Sequence, residues 1–74
     1  MTSEYGVVLV DSTSHALRIE KLLGMVGLPC KLIPVPRHLS SDCGVCVRIM
    51  KSDSEKIHAL LNENKIVFQS FEVL

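Results

Sequence analysis

The order in which two hydrophobic periods alternate along this chain constrains its fold more than any other feature. Tyr5 to Val10 is a β-branched run closed by turn residues, the pattern of a buried strand. Asp11-Ser12-Thr13-Ser14 then offers several N-cap candidates. Ala16, Ile19, Leu22, Leu23 and Val26 recur at helical spacing, with Arg18, Glu20 and Lys21 on the wet side. Gly27-Leu28-Pro29 stops this helix. Cys30 to Val35 predicts a second strand. Pro34 and Pro36, two apart, remove backbone donors on one side of it, which suits a sheet edge. After a loop over Pro36 to Gly44, the residues Val45, Val47 and Ile49 alternate with Cys46, Arg48 and Met50 as a third strand. Ser52-Asp53-Ser54-Glu55 has the pattern of a capping box opening a second helix, with Ile57, Leu60 and Leu61 as its apolar stripe. Asn62-Glu63-Asn64 ends that helix, and Ile66 to Leu74 supplies the last strand.

The resulting order, β-α-β-β-α-β in 74 residues, predicts a single α+β domain spanning 1–74. Two interlocked right-handed βαβ units give the ferredoxin-like arrangement: a four-stranded antiparallel sheet in the order 4-1-3-2, with both helices on one face. A chain this short buries only about 60 % of the surface it exposes when unfolded, so its stability is thin. The topology brings the end of strand 1, the start of helix 1, the end of strand 2 and the start of strand 3 to one edge. The Arg37–Cys46 loop then faces the N-terminus of helix 1. Strand 1 is apolar on both sides, Val7 and Leu9 against Val8 and Val10. Helices cover one face only, so an exposed apolar patch is expected on the other, suited to a homodimer or a docked partner.

Eight basic residues balance eight acidic ones, which argues against a general polyanion binder. The sheet also carries no aromatic pair at base-stacking positions, so nucleic acid is not an expected partner. The longest apolar run of strand 1, Val7 to Val10, falls far short of the roughly 20 residues of a membrane span. Met1 to Glu4 lacks the regions of a signal peptide, and a cytoplasmic protein is expected. Three cysteines, an odd number, do not make a secreted disulfide framework.

Chemistry concentrates at Cys43-Gly44-Val45-Cys46, preceded by Arg37 and His38 and followed by Arg48. A thiolate is the reactive form of cysteine, and cations or a helix N-terminus favour it. Ser12, Thr13, Ser14 and His15 decorate the facing helix end, where unpaired N–H groups stabilise negative charge. Cys43, Cys46, Arg37, His38, Ser12, Thr13, His15 and Gly44 are therefore the candidate site residues. Cys43 precedes the regular strand alternation and is the better nucleophile; Cys46 faces away from Val45 and Val47, off the helix-packed side. Residues three apart on a straight strand point to opposite faces, so a Cys43–Cys46 bond needs a bend at Gly44. Ordinary structural roles compete with these: Cys30 as an apolar filler, Cys46 as packing, Ser12 and Thr13 as caps, His15 as a solvated helix residue, Arg37 as a brace to Asp42 or Asp11. His58, beside Lys56, reads as solvent-exposed. A zinc site wants four ligands. Cys30 lies about 20 Å away along strand 2 and cannot join the other two cysteines. No metal or other cofactor is called for.

The segments Tyr5-Gly6-Val7-Val8-Leu9, Asp11-Ser12-Thr13 with Ala16 and Glu20-Lys21-Leu22-Leu23, Lys31-Leu32-Ile33-Pro34-Val35-Pro36-Arg37, and Ser40-Ser41-Asp42-Cys43-Gly44 carry a resemblance. From Tyr5 to about Leu61 the chain resembles a family of small selenium/sulfur carrier protein-like domains of otherwise unknown function. The resemblance implies a carrier or relay rather than a turnover enzyme. Cys43 would hold sulfur or selenium as a persulfide or selenosulfide, with Arg37 and Ser12-Thr13 lining its site. Its partners would be a cysteine or selenocysteine desulfurase-type donor and a sulfur or selenium acceptor protein. Two other functions fit the residues: a thiol–disulfide switch using Cys43 and Cys46, and an interaction module whose cysteines only pack.

Overall fold

A computed structural model describes residues 4–37, 39 and 44–73. The elements follow in the order β1 (Tyr5–Leu9), α1 (Thr13–Met25), β2 (Cys30–Pro34), β3 (Val45–Met50), α2 (Ser54–Glu63) and β4 (Ser70–Val73). The hydrogen-bonded order in the sheet is β2-β3-β1-β4, which read from the β4 edge is 4-1-3-2. All three pairings are antiparallel. The fold is α+β, with four antiparallel strands and two helices.

Both helices pack on one face. Val8, Val10, Val47 and Ile49 of the sheet form a single core with Ala16, Ile19 and Leu23 of α1 and Ile57 and Leu61 of α2. Ile66, just past α2, completes it. Val26, expected in the apolar stripe of α1, is exposed, because it is the C-cap residue and has left the helical face.

β2 is an edge strand, as its prolines suggest. Pro34 pairs with Val45, and the Val35 N–H donates to the Gly44 carbonyl. Val35 thus points its donor inward, and the nitrogens of Pro34 and Pro36 fall on the outer side, where no ladder partner exists.

The two helices end in the same motif on different residues. After α1, Leu28 N–H donates to Leu23 O and Gly27 N–H to Gly24 O. After α2, Ile66 N–H donates to Leu61 O and Lys65 N–H to Asn62 O. Each is a Schellman pair, which requires a left-handed residue in the middle and sets an apolar residue back onto the helix. Gly27 takes φ +78° without side-chain cost, whereas Lys65 takes φ 55° with a Cβ.

Two expectations are corrected here. The capping box at Ser52–Glu55 does not form: Lys51–Asp53 is a 3-10 turn running directly from β3 into α2. Asp53 is the N-cap in helical geometry with no side-chain cap, and Ser54 Oγ donates to the Lys51 carbonyl. The last strand starts at Ser70 rather than Ile66. The chain spends Ile66 sealing the core beneath the α2 end before Gln69 N–H reaches Leu9 O at 2.7 Å and β4 begins.

The open face of the sheet is corrected too. Val7 and Leu9 are buried within this one chain, together with Cys46, and Ile33, Val35 and Leu39 pack against them. The exposed apolar patch expected on β1 is absent among the described residues, and with it the stated reason for a homodimer there. Arg48, opposite both Val7 and Lys31, lays its guanidinium 4.4 Å from the centre of the Tyr5 ring. That end of the face is polar.

Lys65→Gly should raise the unfolding free energy by about 0.5–1 kcal/mol. The left-handed residue costs roughly 1–2 kcal/mol, and glycine returns about half as backbone entropy. Gly27→Ala should lower it by about 1 kcal/mol. Urea denaturation of the two variants beside the parent reads both signs.

Candidate functional site

The antiparallel pairings place the C-terminal ends of β1 and β2 and the first residues of β3 and β4 at one edge of the sheet: Leu9 is opposite Ser70, and Pro34 is opposite Val45. α1 starts there, four residues beyond the end of β1. Of the candidate residues, Ser12, Thr13, His15, Arg37, Gly44 and Cys46 are described, and all but Cys46 belong to the segments that join elements at this edge or to the first turn of α1. Cys43 and His38 lie outside the described residues.

Ser12 is the N-cap residue of α1, with extended backbone (φ −150°, ψ 157°). Its hydroxyl does not cap the helix; it lies 2.9 Å from the hydroxyl of Ser14. No acidic side chain stands in the first turn. The positive end of the helix dipole is thus left without a carboxylate from its own turn. His15 follows, half-buried, with its Nδ1 buried and without a hydrogen-bond partner among the described residues. Arg37 is exposed, and no ion pair joins it to Asp11. Leu39 N–H donates to Pro36 O, closing a turn at the start of the loop.

Gly44 marks the return into the sheet. Its carbonyl accepts from Val35 N–H at 3.2 Å, and the chain bends there. Among the described residues, a Cβ added at Gly44 would meet nothing within 4 Å, so their packing does not demand glycine there.

The described thiols are unequal. Cys46 is fully buried on the open face of the sheet, between Val7, Leu9 and Ile33. Cys30, on the helix side, is half-buried against the core, its Sγ 3.9 Å from the Glu20 carbonyl. Burial first, and the Glu20 carboxylate second, push the Cys30 thiol up from its ordinary value. Both effects disfavour the thiolate. Cys30 packs against the core at the start of β2, the filler role expected of a free cysteine. Among the described residues no group of three or more His, Cys, Asp or Glu side chains is placed to hold a metal ion. No helix among them is long and apolar enough to cross a membrane.

Leu39 escaped the sequence reading. It is the apolar residue between His38 and Ser40 in an otherwise polar stretch, and that isolation is the signal. Its side chain packs over the cluster that contains Cys46. Leu39 itself is therefore pinned to the face of the sheet away from the helices.

The element order and the edge it creates define a small α+β domain whose connecting segments, not its core, are available for chemistry. This chain belongs to the family described as "Putative Se/S carrier protein-like", which matches residues 5–71. No curated protein and no solved structure matches it.

Alkylation should sort these thiols. Cys46 should react slowly in the native protein and faster by at least tenfold in Leu39→Ser, which removes its cover; peptide mapping after iodoacetamide reads this. Cys30 should react more slowly than an unhindered thiol at pH 8–9. Because its folded pKa is raised, its contribution to stability is complete below the ordinary thiol pKa. That contribution fades as pH climbs through the raised value. Cys30→Ala should flatten this loss on the alkaline side.

Proposed function

We propose that this protein carries sulfur or selenium on Cys43, as a persulfide or selenosulfide, for delivery to an acceptor protein. The observation that carries the reading is the family match over residues 5–71, a span that includes Cys43-Gly44. The inequality of the other thiols supports it. Cys46 has no exposed surface, and the Cys30 thiol is pushed away from ionisation. Cys43 adjoins Gly44, at the sheet edge where α1 begins without an acidic residue in its first turn. A helix start of that kind favours a thiolate, a persulfide anion or a selenolate.

Loading is a thiol exchange. The Cys43 thiolate attacks the outer sulfur of a persulfide on a cysteine or selenocysteine desulfurase-type donor. A new S–S bond forms on Cys43, the donor's S–S bond breaks, and the donor cysteine leaves as thiolate. No external oxidant is consumed. Delivery repeats the exchange, with the acceptor's thiolate as nucleophile. Arg37, Ser12, Thr13, His15 and His38 would hold the anionic forms. Cytoplasmic placement follows, since reducing surroundings keep Cys43 available.

A thiol–disulfide switch between Cys43 and Cys46 is the second reading, favoured by the bend at Gly44. The burial of Cys46 counts against it, because exchange requires an accessible sulfur.

Incubation with a cysteine desulfurase and cysteine, or a selenocysteine lyase-type enzyme and selenocysteine, should add one chalcogen atom by intact mass. The adduct should persist in Cys30→Ser and Cys46→Ser and vanish in Cys43→Ser. An unmodified wild type, or an adduct that survives Cys43→Ser, ends the proposal. Loss in Cys46→Ser together with Cys43→Ser would favour the switch.

A further inference from the structure

This chain has only two phenylalanines, and neither is fully buried, although both pack against the helix-side core. A buried aromatic ring contributes more apolar area than any aliphatic side chain, so a small domain has reason to place its rings inside. Here the fully buried side chains are aliphatic, apart from Cys46. Phe68 and Phe71 lie at the rim of that core, packed against it with part of each side chain exposed, around the start of β4.

They meet His58, which projects from an exposed position on α2. The three rings stand nearly perpendicular to one another. His58 is 5.4 Å from Phe68 at 78° and 5.5 Å from Phe71 at 81°, and the two phenylalanines are 5.0 Å apart at 81°. His58 is thus solvent-facing, as its sequence position suggests, and also held by two rings. Together with Ser54 and Glu55 of the first turn of α2, the rings line one open cleft. Glu55 is exposed, and no hydrogen bond or ion pair reaches its carboxylate from the described residues. It balances the dipole of α2, but that role needs no cleft.

We propose that this cleft is a docking site for an arginine side chain presented by a partner protein. Aromatic faces carry negative charge density and attract a cation lying over them. A guanidinium is planar, stacks on rings and donates paired N–H groups to a carboxylate. The cleft supplies both halves: the two phenylalanine rings, braced by His58, and the Glu55 carboxylate in the same lining. An anion would meet Glu55 as a like charge. An apolar side chain would cover Glu55 without pairing it, which costs free energy. The site uses no residue between Arg37 and Cys46, so it stands or falls independently of the chalcogen-carrier reading.

The test is an amide-shift titration of the isotope-labelled full chain with N-acetyl-arginine-N-methylamide, and separately with its neutral citrulline counterpart. Saturating shifts should centre on Glu55, His58, Phe68 and Phe71. Citrulline should bind more weakly by about two- to fivefold, the size of an exposed cation–π contact. Glu55→Gln, a surface change that leaves the rings in place, should weaken arginine by about two- to fivefold. Phe71→Leu, checked for fold by its spectrum, should weaken it further. No saturating shift at these residues, or equal binding of citrulline and arginine, overturns the proposal; the latter result would mark a merely apolar contact.

Discussion

The structure depends on burying both sides of β1. Val8 and Val10 face the helices, Val7 and Leu9 face the other way, and all four are removed from solvent. In a βαββαβ chain the helices can seal only one of those faces. The second must be sealed by something else or left as an apolar patch, and removing apolar surface from water is worth roughly 25 cal/mol per Å². This chain seals it with Ile33 and Val35 at the end of β2 and with Leu39 from the segment that follows. A domain that buries so little in total gains from every such contact. The position of Leu39 is thus a by-product of covering the back of the central strand.

That cover separates the cysteines by environment rather than by sequence. Cys46 belongs to the sealed face and Cys30 to the helix-side core, where burial and Glu20 hold it as a thiol. The spacing Cys43-Gly44-Val45-Cys46 suggests a matched redox pair, yet alternation along β3 puts Cys46 in the buried cluster against which Leu39 packs. Buried thiols are inert by default, and at Cys30 burial and the Glu20 carboxylate push the thiol further from ionisation. The helix start near Gly44, uncapped by Ser12 and free of first-turn carboxylates, is the environment at this edge that favours an anion.

The helix ends show how the same backbone need is met twice with different residues. Gly27 after α1 announces itself, because glycine before Leu28-Pro29 is a familiar stop. Lys65 after α2 does not, since no lysine signals a left-handed turn; the need arises from returning Ile66 to the core. The same return explains why Ile66 reads as the start of a strand although the ladder begins at Ser70. An apolar residue at a strand-like position can be buried without pairing. The Ser52–Glu55 pattern likewise matches a cap, but Ser52 lies inside the 3-10 turn and the N-cap of α2, Asp53, has helical rather than extended backbone.

By itself the sequence determined the element order, the edge character of β2, the helix-side core, and the side of β3 on which Cys46 points. These follow from local periods and from prolines, which act within a few residues. Only the tertiary structure decided that β1 is covered on its second face, that Leu39 does part of the covering, and that His58 gathers the chain's two phenylalanines. Each of those joins residues far apart in the chain or on different elements, and packing between them has no period to read. The alternation of strand and helix dictated where the chain could go, and the requirement to hide Val7 and Leu9 dictated what had to lie over them.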